Sequence, residues 1–159
     1  MSLSYEVREG SETGPLLERM DVLHQHHFMY GVGRMLPAWE RHLYGRDAGS
    51  PFAFTLMPEE AYGNADPELI RSLPLGLFQD RDGNLQPELL QVGTYINVAD
   101  ESGRQRNGLV LDTDEETVRV DFNHALAGKT LHFSGVVQDV RQASVNELVK
   151  KHYLPPGER

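Results

Sequence analysis

Cysteine is absent from the 159 residues, which removes disulfides, thiolate nucleophiles and cysteine-based zinc centres from consideration. Long apolar runs are missing too, since no stretch approaches the roughly 18 residues that would cross a bilayer as a helix. Basic residues are in deficit, 15 Lys+Arg against 24 Asp+Glu, for a formal net charge of −9. A field of that sign repels phosphate backbones and anionic lipid, so nucleic acid and membrane are set aside as partners. The N-terminus has no basic patch followed by an apolar segment, so no secretory leader is read there and the expected location is cytoplasmic. Aromatics are sparse at 8%, but a 39% apolar fraction supports a modest core. The length suits one domain, or one domain carrying a small insertion. No internal repeat or low-complexity block is visible.

Several segments show the two-residue period of half-buried strands. Leu3, Tyr5 and Val7 alternate with polar residues, and the turn-rich stretch 9–15 ends that strand before Leu16 and Leu17 begin another. Phe52, Phe54 and Leu56 alternate up to Pro58; Leu131, Phe133 and Val137 share one side of a long strand. Between these, Met35 to Gly45 predicts a short helix, with proline in its first turn, Gly45 as a left-handed cap, and Leu36, Trp39 and Leu43 on one face. Asp66-Pro67-Glu68 has the signature of a helix start, and a helix is predicted from there to Pro74. After a loop around Asp80 to Asn84, strands are predicted at 94–99, 109–111 and 118–122, joined by turns near Ser102-Gly103 and at 112–116. Ser144 and Glu147 form a capping box for a last helix ending near His152, and the tail from Leu154 to Arg159 is expected to fray. The fold class is α+β, a mostly antiparallel sheet packed on one short helix.

Particular strings go further. Pro58-Glu59-Glu60-Ala61-Tyr62-Gly63, followed by Asp66-Pro67-Glu68-Leu69-Ile70, resembles the PEEAYG-x-x-DP-x-L segment of SlyD-type FKBP prolyl isomerases. The segment from Val120 to Phe133, with Asn123-His124-Ala125-Leu126-Ala127-Gly128-Lys129 at its centre, is similar to their VDxNHxLAGKxLxF string. Gln91-Val92-Gly93 and Val140-Arg141-Gln142-Ala143-Ser144 match two shorter motifs, all in the same order. The resemblance covers residues 58–148 well and 1–57 more loosely. Phe122 stands where the family has glycine. The resemblance implies an FKBP-like antiparallel half-barrel around one helix, formed by 1–66 and 123–153. It also implies a small inserted helix-plus-β-sheet "IF" domain at 67–122 that binds unfolded chains, with 154–159 as a disordered tail.

The activity so implied is rotation of X-Pro peptide bonds, a barrier of about 18–20 kcal/mol set by amide resonance. A ten-thousandfold acceleration lowers it by only about 5.4 kcal/mol. No bond breaks, so the site needed is a dry aromatic cup with few polar groups; no cofactor is called for. By the resemblance, Trp39 is its floor, with Met35 and Leu36 beside it. Tyr62 offers a phenol to the peptide carbonyl, Phe133 and Leu131 line the far wall, and Tyr5 contributes from the first strand. Glu18 falls where the family has Asp, one methylene shorter. In the inserted unit, Phe78, Tyr95, Val98, Leu109 and Leu111 are expected to form an apolar groove for extended chains. The partners are proline-containing peptides and unfolded proteins.

Two other readings remain open on the sequence. One is a peptide-binding holdase without turnover. The other is metal handling by His24, His26 and His27, with His24 and His26 on the same side of a strand; a solvated or satisfied cluster with no metal is the expectation there.

Overall fold

A computed structural model describes residues 1–79, 83–99 and 103–158. The loop expected at Asp80-Arg81-Asp82 and the Ser102 side of the Ser102-Gly103 turn lie outside those residues. By its contacts the chain divides into two compact units, Met1–Asn64 with Leu126–Arg159, and Ala65–Ala125. Both are built on antiparallel sheets, and the described residues contain two α-helices, so the class is α+β.

In the first unit, β1 (Ser2–Glu9) and β9 (Leu131–Asp139) pair along their whole lengths. β4 (Pro51–Leu56) adds to the far edge of β9. The other edge of β1 is shared by two short strands. β2 (Leu16–Met20) takes Tyr5 to Arg8, and β3 (His26–His27) takes Ser2 and Leu3. The alternating residues do what their period demands: Leu3, Tyr5, Val7, Phe52, Phe54, Leu56, Leu131, Phe133 and Val137 all enter one core. The helix α1 (Pro37–Leu43) covers that face and buries Ala38, Trp39 and Leu43. Pro37 opens it and Gly45, at φ +70°, turns the chain out of it. Arg46 then donates to the carbonyls of His42 (2.9 Å) and Pro51 (2.7 Å), fastening the helix end to the start of β4. Gly135 faces β1 so closely that a Cβ there would meet Tyr5 Cα at 2.8 Å.

The second unit is a four-stranded sheet in the order β5 (Ile70–Pro74), β8 (Thr117–Asp121), β7 (Gln105–Thr113), β6 (Tyr95–Ala99). Phe78, Ile96, Val110, Val118 and Val120 form its small core. The helix predicted from Asp66 to Pro74 is not there. Asp66 does cap, its carboxylate accepting from the Glu68 N–H at 2.9 Å, but only a 3-10 turn follows at Pro67–Leu69. Ile70 to Pro74 then pair with Asp121 to Thr117 as an edge strand. Before Pro74 there is room for barely two turns, too few for one face to repay nucleation, whereas strand pairing satisfies the backbone directly. The unit is therefore 3-10 turns plus sheet, in place of the expected helix plus sheet.

At the C-terminal end, α2 (Val145–Lys150) carries the anticipated capping box: Glu147 N–H donates to Ser144 Oγ, and Ser144 N–H to Glu147 Oε2. It stops at Lys150, earlier than His152, because Lys151 adopts a left-handed conformation at φ 53°. The Glu147 side chain is 2% exposed and accepts both Arg141 guanidinium nitrogens at 2.8 and 2.6 Å and the Leu154 N–H at 2.9 Å. Arg141 first, then these N–H donors, hold its carboxyl far below the usual carboxylate range. Leu154, expected to fray, is instead buried at 2% exposure. Its anchor is the Glu147 carboxylate seven residues earlier, which the composition of the tail does not reveal.

Candidate active site

The inner face of the first unit opens into a cavity of about 530 Å³ beside α1. Tyr5 and Val7 reach it from β1; Glu18 and Met20, the residues paired with Val7 and Tyr5, reach it from β2. Because paired residues in an antiparallel ladder share a face, the Glu18-Met20 side of β2 points inward while Arg19 goes outward to Glu6. Met35, Leu36 and Trp39 close the helix side, and Phe133 comes from β9.

Tyr62 enters from the turn after β4. A 3-10 turn at Pro58–Glu60 brings Ala61 and Gly63 N–H groups to the Pro58 carbonyl at 3.1 and 2.7 Å. Gly63 needs its φ of +77° there, and its own carbonyl accepts from Gly128 N–H at 2.7 Å. Tyr62 thus stands at the cavity on a doubly tied turn, 39% exposed.

The floor is an aromatic cluster. Trp39, 3% exposed, meets Tyr5, Phe54 and Phe133 edge to face with centroids 5.0, 5.8 and 4.9 Å away. These are the offset geometries that the ring quadrupoles favour. Tyr5 donates its hydroxyl proton to Glu18 Oε1 at 2.8 Å. Burial first, then the hydrogen bond to Glu18 and its charge, push the Tyr5 phenol up well beyond its ordinary value. Burial and then Glu18 raise Tyr62 as well, so both rings keep their protons in the physiological range. His26 lies in the wall with its ring 6.5 Å from Trp39. Burial, the largest cause, and His27 lower its pKa against the opposing pull of Glu18.

Seven of the expected residues therefore meet in one cavity: Tyr5, Glu18, Met35, Leu36, Trp39, Tyr62 and Phe133. Leu131 does not join them. It is fully buried in the core, two residues before Phe133 on β9, and faces the sheet interior below the opening. Sequence reasoning missed Val7, Met20, Gly33, Arg34, Pro37 and Leu126, and it weighed His26 only as a metal ligand. Val7 could have been found from its two-residue spacing to Tyr5 and Leu126 from the Asn123–Lys129 string it belongs to; the others carry no motif.

The three histidines part company. His24 sits in a turn made by Asp21, whose carboxylate accepts its backbone N–H at 2.8 Å, so it is not on a strand with His26. His27 pairs with Ser2 Oγ at 2.7 Å and stacks on Tyr153. Among the described residues no group of three His, Cys, Asp or Glu is placed to hold a metal ion.

In the second unit the five expected groove residues also divide. Phe78 is core, and Val98 packs against that core. Leu109 and Tyr95 are cross-strand partners on the opposite face, in a row that continues to Asp121 and Ile70. Leu111 lies at the bulge between Val110 and Asp112. Tyr95 is 57% exposed, on the edge strand.

No family model matches the chain. Individual relatives do. A protein named FKBP-type peptidyl-prolyl cis-trans isomerase SlyD from Treponema pallidum is 33% identical over 148 residues, 93% of this chain and 79% of that protein. One of the same name from Aeromonas hydrophila is 37% identical over 130 residues, 82% of this chain but only 58% of that longer protein. A short-type peptidyl-prolyl cis-trans isomerase from Methanocaldococcus jannaschii is 32% identical over 116 residues, 73% of this chain and 68% of its own.

Proposed function

The chain belongs to the SlyD-type FKBP peptidyl-prolyl cis/trans isomerases, and from that premise we propose that its aromatic cavity receives a prolyl side chain and accelerates rotation of the preceding peptide bond. The observation that carries this is the convergence of Trp39, Tyr62, Phe133 and Tyr5 on one cavity from separate stretches of chain. A ring seated on Trp39 leaves the X-Pro amide among apolar walls, where the charge-separated planar resonance form loses its solvation. The twisted amide, with less charge separation, loses less. Tyr62, kept protonated, donates to the carbonyl as it rotates out of plane, while the Tyr5 proton stays committed to Glu18. Glu18 thereby holds the Tyr5 ring against the floor. The substrates are proline-containing segments of folding polypeptides, and the setting is cytoplasmic.

The assay is refolding of a reporter whose slow phase is limited by a trans/cis proline, with this protein substoichiometric. The expected result is a slow phase that quickens in proportion to added protein. A slow phase left at its uncatalysed rate, roughly tens to hundreds of seconds, would remove the enzyme reading.

A second function belongs to the unit at 65–125, which we read as the chaperone insertion. Among the described residues its edge strand β6 pairs on one side only and presents Tyr95, with Val92 exposed just before it. An extended client can add to that edge by main-chain pairing, which explains broad sequence tolerance. Tyr95→Asp is expected to weaken suppression of client aggregation and to spare isomerisation of a short tetrapeptide. Unaltered suppression would point away from this edge.

A further inference from the structure

One contact in the cavity wall serves neither proposed function. His26 Nε2 lies 3.3 Å from Met35 Sδ, a ring nitrogen and a thioether side by side on the cavity surface. A second thioether is close by construction. Met20 pairs with Tyr5 and His26 pairs with Leu3, so the two sit beside residues two apart on β1, on one face of the sheet and roughly 7 Å apart along it. All three side chains line the same cavity.

We propose that His26, Met35 and Met20 form a binding site for a soft monovalent cation, Cu(I) or Ag(I). Thioethers bind soft ions and reject hard ones, and such ions are content with two or three ligands. Taking about 2.0 Å to nitrogen and about 2.3 Å to sulfur, a trigonal ion holds its two donors roughly 3.7 Å apart. His26 Nε2 and Met35 Sδ need part by only about 0.4 Å by the same lengths. Ligation requires a neutral imidazole, and His26 is half-buried against Met35. The Glu18 carboxylate lies in the same cavity and favours a cation, with the Arg34 guanidinium at the lining working against it. Filling the site places an ion in the wall of the cup.

The site is tested on the full chain in chloride-free buffer, with Ag(I), and with Cu(I) under anaerobic reducing conditions. Two signals are read: the fluorescence of Trp39, the sole tryptophan, and the methyl resonances of the five methionines. The expected result is saturable quenching at one equivalent, with the Met35 and Met20 methyls shifting ahead of the other three. Met35→Leu, close in volume, is expected to weaken binding by at least about tenfold, the scale on which even outer-shell changes act, and Met20→Leu to weaken it less. Zn(II) at the same concentration is expected to do neither. A Met35 methyl unmoved at one equivalent, a Met35→Leu variant that binds as tightly as its parent, or identical shifts with Zn(II) would each overturn the proposal. The methyl shifts of the parent protein decide the matter even if a variant folds poorly.

Discussion

Trp39→Leu separates the two duties that the structure gives one side chain, core residue and cavity floor. Leucine keeps an apolar group under the cup but forfeits three edge-to-face contacts, with Tyr5, Phe54 and Phe133. At about 0.5–1.5 kcal/mol per pair these sum to roughly 1.5–4.5 kcal/mol. That range overlaps the about 2–5 kcal/mol typical of large-to-small changes in a core. Stability is therefore expected to fall by about 3 kcal/mol, measured as a shift of the urea midpoint at constant slope. Function is expected to fall for a separate reason, because the prolyl ring loses its flat floor. If the floor supplies about a quarter of the roughly 5.4 kcal/mol needed for a ten-thousandfold effect, kcat/KM drops about tenfold. The reporter refolding assay reads this in the absence of denaturant, at a temperature where circular dichroism shows the variant fully folded. A folded variant that loses the stability but keeps kcat/KM within about twofold would show Trp39 to be core alone, and the cup would need another floor.

Tyr62→Phe removes a phenol and leaves the ring on its turn. The expected result is a kcat/KM lower by roughly tenfold, the worth of one hydrogen bond made in the transition state; an unchanged rate would release Tyr62 from its role. Gly135→Ala forces a methyl against Tyr5 Cα and the Ser4 carbonyl, both backbone, and is expected to cost about 1–3 kcal/mol by thermal or urea unfolding. Glu147 has a native pKa below its unfolded value, so the unfolded state binds its proton first as pH falls. Its contribution is thus complete at neutral pH and is lost on descending below about 4.5, its unperturbed value. Glu147→Gln should lower stability at pH 7 and flatten the acid limb of the pH–stability curve; a parallel limb would contradict this.

The strands of the first unit were legible because each buries one face: Leu3-Tyr5-Val7 and Phe52-Phe54-Leu56 alternate without a break. So was α1, bracketed by Pro37 and Gly45. Asp66 to Pro74 misled because a cap reports only on the first turn, and the edge of β8 decided what followed. The lining of the cavity was legible at several positions that a motif marked, as at Tyr62 and Phe133. Met20 was invisible, and His26 was weighed only together with His24 and His27, because the place of both depends on β2 and β3 sharing one edge of β1. Leu131 was misplaced for the opposite reason. Its period is right for the face, but the period does not say how far along a strand the opening lies.

The pairing of β1 with β9 sets an order of events during synthesis. β1 leaves the ribosome long before β9, since residues 2–9 find their partners at 131–139, and loop closure of that reach is slow. The sheet at 65–125 draws every partner from its own span and can close while β9 is still untranslated. The half assigned to grasping unfolded chains can thus be finished before the half assigned to turning their prolines, and until β9 arrives β1 has only β2 and β3 on its other edge and lacks its longest partner.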